Sequence, residues 1–216
     1  MIQNGADLQS GKVDRLLFSL ALPTVTSQIV NMLYNLVDRI YIGHIPEVGR
    51  TVLTGVGGCL PVIILITTFS SLAGAGGTPR ASIEEGKGNP RESAHIMGNC
   101  FTLLLSTSVV LTAVFFLFNR SILLSFGASA DTIDYAAAYM GIYSMGTVFV
   151  QLTLGMNIFI TAQGFSKISM KTVLIGAGLN TVLDPIFIFA LNMGVRGAAL
   201  APFSPRLSPP YGLCGF

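Results

Sequence analysis

Charge is what this sequence has least of: Asp, Glu, Lys and Arg together make up 10% of 216 residues, against about 25% in a typical soluble domain. Tryptophan is absent and histidine occurs twice. The three cysteines, Cys59, Cys100 and Cys214, are far apart and in no metal-ligand spacing, and the first two fall in apolar segments where a thiol behaves as a small hydrophobe, so neither a zinc site nor a disulfide framework is expected. His44 and His95 have no Cys, Asp or His at ligand spacing, so no metal site is expected. No block of Lys and Arg provides a phosphate-binding surface, and nucleic acid is not an expected partner. A secretory leader is not expected either, because the first apolar run is too long and lacks a small-residue cleavage site. Nor is there a nucleophile–base pair, and the glycines of TPRASIEEGKGNPRESA (78–94) lack the Lys-Ser/Thr of a nucleotide loop. An enzyme is not expected, and no cofactor is implied.

Long apolar runs are what the sequence has instead, since 51% of its residues are hydrophobic. About 20 helical residues cross the hydrocarbon of a bilayer, and the runs predict spans at 16–42, 52–77, 94–118, 133–163 and 171–193, with a sixth beginning near 195. The fold class is therefore all-α integral membrane, with five complete spans. Segment 78–94 reads as a Gly/Pro-punctuated loop between spans. With the N-terminus cytoplasmic, the inner segments carry Lys12, Arg15, Arg80, Lys87, Arg91, Lys167 and Lys171, while the outer ones carry Arg50, Arg120 and Arg196. Seven against three favours that orientation, because short Lys/Arg-rich loops remain inside.

Two of the predicted spans contain acids. In the first, Thr24, Ser27, Gln28, Asn31, Asn35 and Asp38 recur every three or four residues and form a polar stripe, which is expected to face inward because lipid offers these groups no partner. In the fifth, Gly176, Asn180 and Asp184 share a face, with Thr181 beside them and Pro185 next in the chain. Both spans run in the same direction and each acid follows its helix midpoint, so topology brings Asp38 and Asp184 to one level in the outer half. Two sequestered acids with neighbouring amides suit the binding of a proton, a sodium ion or a cationic solute. For Asp38 the competing reading is an interfacial pair with Arg39. Tyr34, Gln151, Asn157 and Gln163 are candidates for cavity lining, for which packing is the simpler role. Pro23 and Pro61 each remove a backbone donor inside a predicted span.

Four motifs in order, LALPTVTSQIVNMLYNLVDRIYIG (20–43), GGTPRASIEEGKGN (76–89), NIFITAQG (157–164) and LNTVLDPIFIFALNMGVRGAAL (179–200), resemble the multidrug and toxic compound extrusion family in its bacterial drug-exporter branch. The resemblance implies a protein of two six-helix lobes in the bacterial cytoplasmic membrane, exporting organic cations or drugs in exchange for protons or sodium. It makes residues 1–201 the N-terminal lobe, whose partners are membrane lipid, a small organic cation and a C-terminal lobe missing from this chain. It assigns ion coupling to Asp38, Asn180 and Asp184 and helix bending to Pro23. Gln28, Asn31, Tyr34, Asn35 and Thr181, on or beside the polar faces of these two spans, are the candidates for cavity lining. The family usually has Thr or a small residue where Arg39 follows the first acid. Two alternatives are a flippase of lipid-linked saccharides and a nonfunctional membrane fragment. Residues 202–216 contain four prolines that interrupt the sixth span, and are expected to be an out-of-frame, disordered tail.

Overall fold

The computed structural model describes residues 13–201, and the expected tail at 202–216 lies outside the described residues. Nine α-helices and one π-helical segment occur among them: α1 Val13–Gly43, α2 Gly49–Gly58, α3 Leu60–Gly86, α4 Pro90–Leu117, α5 Asn119–Ser125, α6 Ile133–Met145, α7 Thr147–Ala162, α8 Ser166–Pro185, the π segment Ile186–Ala190, and α9 Val195–Leu200. Four helices are long and apolar enough to cross a membrane, namely Leu17–Gly43, Leu60–Gly86, Pro90–Leu117 and Ser166–Ala190; α6 and α7 supply a fifth crossing when taken as one bent span.

The second predicted span, 52–77, needs correction at both ends. The chain breaks at Cys59, and α3 carries the apolar run from Leu60 onward with Pro61 in its first turn, where a missing N–H costs nothing. The helix then passes through Pro79 to Gly86, so most of the predicted loop 78–94 is helical. Burial explains the extension: Ala81, beyond the proline, packs with Ala73, Leu104, Met156 and Phe159 in a core shared by α3, α4 and α7. Only residues 87–89 form the turn, with Gly88 at φ +79, where a Cβ would be strained.

A second, larger core occupies the other end of the bundle and gathers α2, α5, α6 and α9 around residues such as Ile42, Val52, Ile133, Met140, Ile188 and Ala198. The bent span connects the two cores. Its helices meet at Gly146 with an angle of 58°. Near the break, the Ser144 carbonyl accepts a hydrogen bond from the Thr112 hydroxyl of α4 at 3.0 Å, and Thr147 donates to the Tyr143 carbonyl at 3.3 Å.

Gln151 is fully buried and ties three helices together. Its amide donates to the Ile66 carbonyl of α3 at 3.3 Å, and its oxygen accepts from Thr107 of α4 at 3.1 Å. This is the packing role rather than cavity lining. Interhelical hydrogen bonds of this kind are worth about 1 kcal/mol in a membrane protein. Gln151→Leu is accordingly expected to lower stability by about that amount, measured by denaturant unfolding in detergent; a neutral result would remove the clamp from this account.

Candidate functional site

The last turns of α8 hold the feature that packing does not explain. Asp184 is 0% exposed and Asn180, one turn earlier, is 3% exposed. Neither oxygen of the Asp184 carboxylate, and neither polar atom of the Asn180 amide, has a hydrogen-bond partner. A polar group shut away from water without a partner costs several kcal/mol. Two of them adjoining on one helical face indicate a place held ready for something that donates or is positively charged.

Asp38 reaches this place from α1, the helix packed most extensively against α8. It is half-buried, its Oδ1 is enclosed and unpartnered, and it lies close enough to Asp184 for the two charges to interact. Arg39 is exposed; its charge is felt at Asp38, but among the described residues the two form no salt bridge. The polar stripe of α1 divides as the helix turns by about 100° per residue. Ser27 is buried and Asn31, Tyr34 and Asp38 are half-buried, whereas Thr24, Gln28 and Asn35 are exposed. One edge of the stripe meets α8, and the other is open on the face of the lobe. On α8, Thr181 is half-buried and spends its hydroxyl on the Ala177 carbonyl at 2.9 Å.

Pro23 is buried within an unbroken α1. The hydroxyls of Thr24, Thr26 and Ser27 each donate to a carbonyl four residues back, at 2.8, 2.8 and 2.9 Å. These bonds supplement the ladder where proline interrupts it. Asn157 and Gln163 are half-buried in and just beyond α7.

Two neighbours of the site were not selected from the sequence. Tyr139 of α6 is 4% exposed, stacks on Tyr143 at 6.0 Å between ring centroids, and lies within electrostatic reach of Asp38. The spacing of four between these tyrosines signals a shared face, but not which helix that face meets. The other neighbour is the π segment, which starts directly after Pro185 and closes with Leu191 N–H donating to the Ile186 carbonyl at 2.9 Å. Single π turns favour functional positions. Through this one, Phe189 makes an edge-on contact with Tyr41 of α1 at 6.4 Å.

Two carboxylates and one amide can share a proton or hold a single cation. Among the described residues no three His, Cys, Asp or Glu side chains gather as a metal centre would require.

The comparisons agree with this architecture. Multidrug export protein MepA of Staphylococcus haemolyticus is 26% identical over 192 residues, which is 89% of this chain and 42% of that protein. The Staphylococcus aureus MRSA252 MepA is 24% identical over the same length. Among solved structures, MATE in the straight conformation and MATE in the bent conformation each superpose with a TM-score of 0.83 at 26% identity, covering 91% of this chain and 43% of theirs. The chain thus spans less than half the length of the curated relatives it matches, and its helices form a single lobe of the MATE fold. The family model MatE matches residues 23–186, and this multi-pass membrane chain belongs to that family.

Proposed function

We propose that this lobe is the ion-coupling half of an exporter that drives organic cations or drugs out of a bacterial cell in exchange for protons or sodium. The observation that carries the proposal is the buried, unpartnered Asn180–Asp184 pair facing Asp38 across the contact of α1 and α8. Acids held inside a membrane bundle are costly to keep bare and mark ion pathways and proton relays. The names of the two staphylococcal relatives support the substrate class.

In this reading the N-terminus is cytoplasmic and the acid site opens toward the outer half of the cytoplasmic membrane, where an inward ion gradient can load it. A second lobe completes the central cavity, because alternating access works by moving one lobe against another. Pro23 lies in α1 between the cytoplasmic end and the acid, a position from which bending of that helix would alter the α1–α8 contact that encloses the site.

Membrane vesicles that contain this lobe joined to a second lobe, loaded with a cationic dye, test the reading. Efflux should start when a proton or sodium gradient is imposed and stop when an ionophore collapses the driving gradient. Efflux that continues with both gradients collapsed would overturn it.

A further inference from the structure

The open edge of the α1 stripe ends in a positive charge. Gln28, Asn35 and Arg39 follow one another at helical spacing on the exposed side of the helix, while Asp38 lies round the turn toward α8. Between Leu17 and Gly43, Asp38 and Arg39 are the two charged side chains. Arg39 is exposed and in no ion pair among the described residues. It sits one turn before the end of α1, about 6 Å along the axis from Gly43. A helix face bearing amides and a guanidinium does not suit hydrocarbon. The exposed Met32 and Leu36 beside it, at 76% and 55% exposure, supply apolar surface for a flat organic body.

For a permanently cationic substrate, Arg39 is a repulsive neighbour next to Asp38. For a substrate carrying both a cationic centre and a carboxylate, it is a partner with a fork of donors matched to the anion. We infer that Arg39 is a specificity-determining residue that holds the anionic group of a zwitterionic organic substrate, while the cationic centre lies toward the negative field of Asp38 and Asp184. This inference rests on the exporter reading and narrows its substrate class from cations to zwitterions.

The probes are a rhodamine with a free carboxylate and its ethyl ester, which share one cationic ring system and differ in the anion. Fluorescence anisotropy with the purified chain in phosphatidylcholine nanodiscs should show the zwitterion binding more tightly than the ester by about tenfold, as one charge-assisted hydrogen bond gives. Arg39→Gln should erase that preference by weakening the zwitterion while the ester, freed of a like charge, binds no less tightly, and Arg39→Lys should retain part of it. Equal affinities in the wild type, equal losses for both dyes in Arg39→Gln, or no binding of either dye would overturn the inference. So would a preference abolished by adding phosphatidylglycerol, which would identify a lipid headgroup as the partner of Arg39. The gradient dependence of efflux is measured independently, so either idea can fail without the other.

Discussion

In the two-lobe exporter proposed for this lobe, Asp184→Asn is expected to abolish gradient-driven efflux while leaving the protein folded, with thermal stability unchanged or raised. The substitution is nearly isosteric and keeps hydrogen-bonding atoms where the carboxylate stood, so packing around this fully buried position has no reason to change. What it removes is the capacity to carry charge. In the structure neither carboxylate oxygen has a partner, and a buried charge without a partner lowers stability. A residue retained only for architecture would show the opposite pattern, with stability and transport falling together. Efflux in the variant should fall to the level seen with the gradient collapsed, and unfolding in detergent should occur at or above the wild-type temperature. Gradient-driven efflux surviving in Asp184→Asn would remove this acid from the proposed coupling. A large drop in melting temperature would assign it a structural role instead.

The acid site was largely legible in the sequence because burying a carboxylate within a membrane helix is so costly that its presence there is itself information. LNTVLDP shows a polar pair at helical spacing inside an apolar run, and the parallel direction of α1 and α8 then brings Asp38 to the same level. Tyr139 was not legible, since its place within reach of Asp38 depends on how α6 is seated in the bundle, which a charge-free run does not encode. The helix boundaries reveal a different limit. GGCLP, residues 57–61, carried the signal for the break at Cys59, two glycines followed by a proline suited to a first turn. Hydropathy alone reads straight across it. Pro79 and the two glutamates after it imitate a loop, yet burial of Ala81 in the α3–α4–α7 core keeps that stretch helical. The division of the α1 stripe was similarly hidden: spacing shows that the polar residues share a face, but only the packing of α8 decides which edge is covered. The π segment after Pro185 shows what proline leaves open, for it signals a disturbed ladder without saying whether the helix will kink, end or widen.

Gly197→Val is expected to unfold or displace α9, and it tests whether the acid site depends on the close seating of α9 against the π segment. A Cβ added at Gly197 would lie 2.7 Å from both the carbonyl carbon and oxygen of Phe187, and 3.0 Å from the Ile188 nitrogen. These are backbone atoms, so no side chain can rotate away; either α9 must lift or the π turn must change register. Overpacking in a core costs about 1–3 kcal/mol where side chains can adjust, and backbone against backbone places this site at the upper end or above it. Gly178→Ala provides the matched control. A Cβ at this position in α8 meets nothing within 4 Å, and replacing a helical glycine with alanine gains roughly 0.5–1 kcal/mol. The two substitutions should therefore move the unfolding midpoint in opposite directions. The consequence for transport follows from the chain between them. Phe187 lies three residues beyond Asp184, and Phe189 carries the contact with Tyr41 of α1. A shift of the π turn thus disturbs the acid and the helix that brings Asp38 to it. In the proposed two-lobe exporter, variants of Gly197 should lose efflux in proportion to the volume added, with Gly197→Ala between wild type and Gly197→Val. Full stability and efflux in Gly197→Val would mean that α9 is free of the π segment in the membrane, and that the site is held by α1 and α8 alone.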